Sequence, residues 1–240
     1  MIQKFIILVL DYLFPIACNF CGEFDFFSSK LSLCKKCYKE GNKEKAVLLD
    51  TSYCGVCKTE LINEECNYCN SRNVFFSQLN YIRIRGEFER EIIQRIKFGN
   101  APHLSNYFRL GLRKVMRGLN KKRYTAIVSI PSNKSTIRKR PIPVCKPVTD
   151  LLIHHLRIKT IIPFEKKSKE LQSGKSFRDR FIHAQSAFII KESYSNKLKG
   201  NYLLVDDVFT TGATINEMAK ILLLNGANEV DVLVLVKGKM

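Results

Sequence analysis

An α/β fold, with a mostly parallel sheet covered by helices on both faces and a small metal-binding module ahead of it, is the class this sequence predicts. Three observations lead there. Eight of the nine cysteines lie before residue 70, in four Cys-x2-Cys pairs. From about residue 75, short β-branched runs alternate with stretches of helical periodicity, the pattern of parallel strands joined by covering helices. Near the C-terminus a strand of buried character runs into Asp206-Asp207, a threonine-rich loop around Gly212 and an amphipathic helix.

Length and composition set the frame. A chain of 240 residues accommodates one large domain and a small module, here assigned to residues 75–240 and 1–72. With 45% hydrophobic residues, 12 Gly and 7 Pro, disordered and fibrous classes are excluded. Forty Lys and Arg against 22 Asp and Glu leave a net charge of +18. Such a balance points to a polyanionic partner, because cations that neutralise phosphates release condensed counterions. The charge is concentrated: from Lys121 to Arg180 there are 16 basic residues and four acidic ones.

The apolar run from Ile2 to Ala17 is interrupted by Lys4 and Asp11 and falls short of the roughly 20 residues a membrane-spanning helix needs. It reads as an amphipathic helix docked on the body of a cytoplasmic protein. Ala17-Cys18 imitates a lipoprotein cleavage site only loosely, since Pro15 stands where a branched aliphatic residue is expected.

The four cysteine pairs are Cys18/Cys21, Cys34/Cys37, Cys54/Cys57 and Cys66/Cys69, separated by 12, 16 and 8 residues. A two-residue spacer turns both thiolates of a pair toward one ion, and two such knuckles complete a tetrahedral sulfur shell. Sequential pairing gives two structural Zn2+ sites, and an interleaved cross-brace is the other arrangement the spacing permits. Iron–sulfur ligation uses the same ligands. Thioredoxin-like chemistry needs a single pair at a helix start, and a disulfide framework suits a secreted chain. Segment 1–72 has little apolar periodicity, so metal binding there is folding energy. Cys145 stands apart and reads as a small buried hydrophobe, with no partner histidine in a recognisable motif.

In the larger domain, Tyr81 to Arg85 alternates as a half-exposed strand closed by Gly86. Glu87 to Phe98 carries Phe88, Ile92, Ile93 and Ile96 on one helical face and stops at Gly99. His103 to Leu119 is a second helix, with His103 on its surface. Ala126 to Ile130 is a buried strand ended by Pro131, and Pro143 to Leu156 a helix whose late His154 and His155 suit its dipole. Thr160 to Ile162, Ala187 to Lys191, Asn201 to Asp206 and Val230 to Val236 complete the strands.

The stretch Val205-Asp206-Asp207-Val208-Phe209-Thr210-Thr211-Gly212-Ala213-Thr214 carries the chemistry. Parallel-sheet proteins place ligands beyond the carboxyl ends of their strands. A loop of small residues opening a helix offers backbone N–H groups and a dipole that favour a phosphate, and the Thr hydroxyls add donors. Two adjacent carboxylates can accept hydrogen bonds from a diol or face Mg2+. Helix capping alone would need only one such side chain. Without the Gly-x4-Gly-Lys of a triphosphate-binding loop, the set fits a ribose 5-phosphate. Apolar positions Ile215, Met218, Ala219, Leu222 and Leu223 follow a helical stripe, and Gly226 ends it.

The hydrophobic strand ending in Asp-Asp before Thr-Thr-Gly-x-Thr resembles the 5-phosphoribosyl-1-diphosphate (PRPP) motif of type I phosphoribosyltransferases. Joined to an N-terminal multi-cysteine module of the double zinc-ribbon kind, the chain resembles the ComF family of competence and DNA-uptake proteins. The resemblance runs from Phe14-Pro15 to the C-terminus and takes in Ile96-Lys97-Phe98-Gly99 and the Gln172 to Phe188 segment. It implies a type I phosphoribosyltransferase-like domain in which Asp206 and Asp207, the candidate catalytic pair, contact ribose hydroxyls, while Thr210, Thr211, Gly212, Ala213 and Thr214 cradle the 5-phosphate. Arg138 and Arg140 would belong to the pyrophosphate loop after Ser129-Ile130-Pro131. There the chain departs from the family: Arg140-Pro141-Ile142-Pro143-Val144 replaces Arg-Gly-Phe-Asn-Gln, removing a glycine and two amide side chains, and His183 stands where Asn is common.

The resemblance and the charge together imply binding of single-stranded DNA during natural transformation. Lys134, Lys139, Lys166, Lys167, Lys175, Arg178 and Arg180 are the candidate DNA contacts, with Phe164, Phe177 and Phe181 as candidate stacking platforms or core residues. PRPP or ribose 5-phosphate and DNA-uptake proteins are the further implied partners. The rival reading is an active Mg2+-dependent phosphoribosyltransferase acting on PRPP and a nitrogenous acceptor. A zinc-dependent module that recruits uptake machinery without touching nucleic acid is the third.

Overall fold

The computed structural model describes residues 6, 9, 10, 12–14, 17–25, 32–41, 52–99, 101–119, 123–130, 143–166 (backbone only at 166) and 188–238. In chain order these form α1 (Lys35–Gly41), α2 (Asn67–Asn70), β1 (Gln78–Ile84), α3 (Glu87–Phe98), a 3-10 turn (Pro102–Ser105) and α4 (Asn106–Leu119). There follow β2 (Tyr124–Ser129), α5 (Lys146–Leu156), β3 (Lys159–Ile161), β4 (Phe164–Lys166), β5 (Phe188–Ile190), β6 (Asn201–Phe209), α6 (Ala213–Leu224) and β7 (Glu229–Lys237).

The main sheet has the order β1-β7-β6-β2-β3, and each of its neighbouring pairs is parallel. Tyr202–Val205 of β6 and Val230–Val236 of β7, apolar apart from Asp231, are buried on both faces, as central parallel strands require. Leu203, Val205, Leu233 and Leu235 enter one buried cluster with α3, α4 and α5. Their alternate neighbours Tyr202, Leu204, Val232 and Val234 enter a second with α6. The α/β class, with a parallel sheet covered by helices on both faces, is therefore the observed one.

The local reasons are visible residue by residue. Helix α3 occupies the expected span. The Gly86 N–H donates to the Glu89 carboxylate at 3.2 Å, Glu87 and Glu89 lie in its first turn, and Arg95 and Lys97 lie in its last, matching the helix dipole at both ends. Pro102 converts the expected start at His103 into a 3-10 turn, and α4 proper begins at Asn106. The helix expected from Pro143 begins three residues later, after a turn closed by the Lys146 N–H donating to the Pro143 carbonyl.

Two expectations about the sheet are corrected. The strand read as ending at Asp206 continues to Phe209, because β7 runs beside it as far as Lys237. The strand expected around residues 187–191 pairs antiparallel with β4 in a separate two-stranded ribbon, outside the parallel sheet. β4 itself was hidden behind Pro163. It places Phe164 in the second core cluster at 1% exposure, which removes that ring from any base-stacking role.

The N-terminal helix expected to dock on the body lies only partly within the described residues. Ile6, Val9, Leu10 and Leu13 share a helical face (i, i+3, i+4, i+7), and all four are exposed. No helix among the described residues is long and apolar enough to cross a membrane.

Candidate functional site

The eight paired cysteines gather into two four-sulfur groups, Cys18/Cys21/Cys34/Cys37 and Cys54/Cys57/Cys66/Cys69, with the sulfurs of each group within 4.8 Å of one another. The pairing is sequential rather than cross-braced. Each group repeats one design. Its first pair lies in a tight hairpin, flanked by the Ala17–Phe24 or Tyr53–Glu60 bridge, and its second pair opens a short helix. Gly22 and Lys58, each four residues after the leading cysteine, both turn the hairpin with positive φ.

Sulfur separations of 3.6 Å (Cys21 to Cys34), 3.8 Å (Cys54 to Cys69) and 3.4 Å (Cys57 to Cys66) are far from the roughly 2.05 Å of a disulfide. They lie close to the ~3.8 Å edge of a tetrahedron built on 2.3 Å metal–sulfur bonds. Each group can hold a metal ion. Amide N–H groups of Phe20, Cys37 and Cys69 donate to Cys18, Cys34 and Cys66 sulfurs, each at 3.4 Å.

The thiols divide accordingly. Burial opposes the Cys18 thiolate, but amides of Cys21, Cys34 and Phe20 outweigh it and bring the thiol down to about 7. At Cys54 burial is likewise outweighed, by amides of Cys57 and Val56, again to about 7. Burial and neighbouring thiols push Cys37 and Cys69 far above the ordinary thiol range. Four thiolates around one point repel, and a dication at the centre reverses that balance. Beside the second group lies the buried Lys237. Burial lowers its pKa, while the charges of Cys57 and Cys66 favour its ammonium form.

The cavity that matters most lies at the carboxyl end of β6. It encloses about 310 Å³ and is lined by Lys97 and residues 206–208 and 210–215. Topology puts it there. The chain leaves β2 toward β3 on one side and leaves β6 toward β7 on the other, so the loops after these neighbouring strands diverge, the usual position of a ligand crevice. Among the described residues β2 pairs with β6 only as far as Val205, while β7 continues beside β6 to Phe209, so the Asp206-Asp207 segment lies past the end of β2 on the crevice side. At Gly212, φ is +70°, a conformation glycine adopts without strain. The backbone there swings directly into the first turn of α6, where helix N–H groups lack intrahelical partners. The Ala213 N–H leans on the Thr211 hydroxyl at 3.4 Å.

At the other wall the Lys97 ammonium, at the end of α3, pairs with the Asp207 carboxylate at 2.6 Å. The Asp207 N–H donates to the Asp206 carboxylate at 2.8 Å. Partial burial, and then the Asp207 charge, raise the Asp206 carboxyl to about 7. Cys145 faces the same carboxylates. Burial, followed by the charges of Asp207 and Asp206, holds its thiol protonated, consistent with the packing role read from the sequence.

A native carboxyl raised above its unfolded value contributes stability below about pH 4, and that contribution is lost as pH rises through about 7. Asp206→Asn should therefore gain stability over the wild type by on the order of 1–2 kcal/mol at pH 8 and by much less at pH 5. Urea unfolding at both pH values measures it. A difference that does not change with pH contradicts the assignment.

Of the residues singled out in the sequence, Asp206, Asp207, Thr210, Thr211, Gly212, Ala213 and Thr214 share this one cavity. Arg138 and Arg140 lie outside the described residues, as do Lys134, Lys139, Lys167, Lys175, Arg178, Arg180, Phe177 and Phe181. The backbone of Lys166 ends β4, away from the main sheet. Lys97 was not assigned a role from the sequence. It stands 110 positions before Asp207, and its place in the last turn of an amphipathic helix gave no local sign of the contact.

No protein-family model matches the chain. It is 28% identical over 212 residues to Competence protein F of Haemophilus influenzae, spanning 85% of this chain and 90% of that protein. It is 23% identical over 203 residues to Competence protein ComFC of Bacillus subtilis, spanning 80% and 79% respectively. Among solved structures, the adenine phosphoribosyltransferase of Thermoanaerobacter pseudethanolicus aligns with a TM-score of 0.33 and 16% identity, over 55% of this chain and 81% of that one.

Proposed function

We propose, from its likeness to two competence proteins, that the chain is a member of the ComF family, that it binds single-stranded DNA during natural transformation and that it carries a pocket for PRPP or ribose 5-phosphate. The observation that carries the pocket is the cavity at the end of β6, where a carboxylate pair faces a Thr-Thr-Gly loop and a helix N-terminus within about 310 Å³. Asp206 and Asp207 would accept hydrogen bonds from the ribose 2- and 3-hydroxyls. Thr210, Thr211 and Thr214 would donate to the 5-phosphate, together with the amides that open α6. Lys97 keeps Asp207 neutralised until ligand arrives. Mg2+, entering with PRPP, would supply positive charge for the pyrophosphate oxygens, and the carboxylate pair is the group able to hold it. Arg138 and Arg140 complete the proposal as pyrophosphate contacts.

Zn2+ is the ion proposed for both four-sulfur groups, since tetrahedral all-sulfur shells select it. The DNA reading rests on charge: +18 overall, with 16 basic and four acidic residues between Lys121 and Arg180. It places the protein in the cytoplasm beside the uptake machinery.

Titration of an unstructured oligonucleotide at increasing salt tests this reading. Affinity should fall linearly on a log–log plot, with a slope of about −0.7 per phosphate neutralised. No binding at low salt ends the DNA assignment. The same preparation incubated with PRPP and candidate bases decides the enzymatic reading, which the Asp206-Asp207 pair favours: pyrophosphate release lost in Asp207→Asn supports turnover, and its absence leaves a binding pocket alone.

A further inference from the structure

The segment that holds the second four-sulfur group also forms the back wall of the phosphate loop. Tyr68 lies between the ligands Cys66 and Cys69 on α2 and is 5% exposed. Its hydroxyl donates to the Thr211 carbonyl at 3.2 Å. Its ring packs on Phe209, the last residue of β6, with centroids 5.7 Å apart. The fit at Gly212 is so close that a Cβ there would collide with the Tyr68 hydroxyl and the Phe209 ring. On the outer side the Arg72 guanidinium covers the Tyr68 ring at 4.0 Å.

A second tie lies one turn further on. The Asn216 side chain, in the opening of α6, donates to the Asn73 carbonyl at 2.8 Å and accepts from the Phe75 N–H at 2.8 Å. Loop and helix start are thus fastened from behind by Tyr68, set between two cysteines of the second group, and by Asn73 and Phe75, which follow shortly after it. The first four-sulfur group is fastened elsewhere. Arg95 of α3 donates to the Asn19 and Phe20 carbonyls at 2.7 and 2.8 Å, on the opposite face of the sheet.

We propose that Tyr68 is a positioning residue through which the Cys54/Cys57/Cys66/Cys69 centre sets the shape of the phosphate loop, so that metal in that centre and a phosphate ester in the cavity bind with positive coupling. The proposal rests on the reading of the cavity as a ribose 5-phosphate site. Coupling of this kind is reciprocal. Metal steadies the loop for the ester, and the ester steadies the centre against loss of its metal.

Calorimetric titration of the full zinc-loaded chain with ribose 5-phosphate tests the forward direction. Tyr68→Phe keeps the ring and removes one neutral hydrogen bond, and should weaken binding about fivefold. Tyr68→Leu also removes the ring wall and should weaken it by more than about tenfold, with two zinc ions per chain retained by elemental analysis. Where Tyr68→Leu fails to retain both ions, Tyr68→Phe carries the test.

Cysteine alkylation under chelator challenge, mapped by mass spectrometry, tests the reverse. Ribose 5-phosphate should slow labelling of Cys54, Cys57, Cys66 and Cys69 in the wild type more than that of the first group, and should slow it less in Tyr68→Phe. Wild-type affinity in both variants, or labelling of the second group that ignores the ester, overturns the coupling while leaving the cavity reading intact. A wild-type chain that binds no ribose 5-phosphate overturns both, so the two failures are distinguishable.

Discussion

Cys57→Ala should release one of two bound metal ions and lower the melting temperature by roughly 6–20 °C. Cys57 is fully buried, its sulfur 3.2 Å from the Thr59 hydroxyl and 3.4 Å from the Cys66 sulfur. Its loss removes a ligand from a shell whose formation is itself folding energy, of order 10 kcal/mol for a structural zinc site. Part of the surrounding packing survives, because Phe76 and Leu79 remain in the α6-side cluster with Cys54 and Cys66. A net loss of about 3–5 kcal/mol, at 2–4 °C per kcal/mol for a chain of this size, gives the expected shift. Calorimetry with elemental analysis measures both quantities. Retention of two ions at an unchanged melting temperature would show that the four sulfurs do not form a structural centre.

Gly212→Ala should abolish ribose 5-phosphate binding, a loss of at least about a hundredfold. Two costs add at this position. A side chain at φ +70° is strained by about 1–2 kcal/mol, and the new methyl group collides with Tyr68 and Phe209, an overpacking cost of about 1–3 kcal/mol. The backbone can relieve the collision only by moving toward the cavity, which is where a phosphate would lie. Unfolding in urea should show a destabilisation of about 2–5 kcal/mol, and calorimetric titration the loss of binding. A variant that binds the ester as the wild type does would remove Gly212 from the site.

What was legible in the sequence follows the range of the interactions involved. Helix α3 could be read to its last residue because its apolar face, its acidic first turn and its basic last turn are all local signals. The end of β6 could not be read, since its last three residues are strand only because β7 continues beside them. β4 escaped notice for a related reason: three residues behind a proline gain strand character only by pairing with Phe188–Ile190. At the site, the carboxylates and the threonine loop are contiguous and could be found together. Lys97 and Tyr68 reach the same place from 110 and 143 positions away, counted to Asp207 and Thr211. Identical cysteine spacings could not reveal that the two four-sulfur groups settle on opposite faces of one sheet.

The strand order carries a consequence for how the molecule is made. Among the described residues β1 forms sheet pairs only with β7, so during synthesis it leaves the ribosome with an unsatisfied edge that persists until residues 229–237 follow more than 140 positions later. Neither outer helix layer can close over a finished sheet before then. Such a long-range closure predicts slow, cooperative folding and a nascent chain that stays vulnerable to aggregation for more than half of its translation.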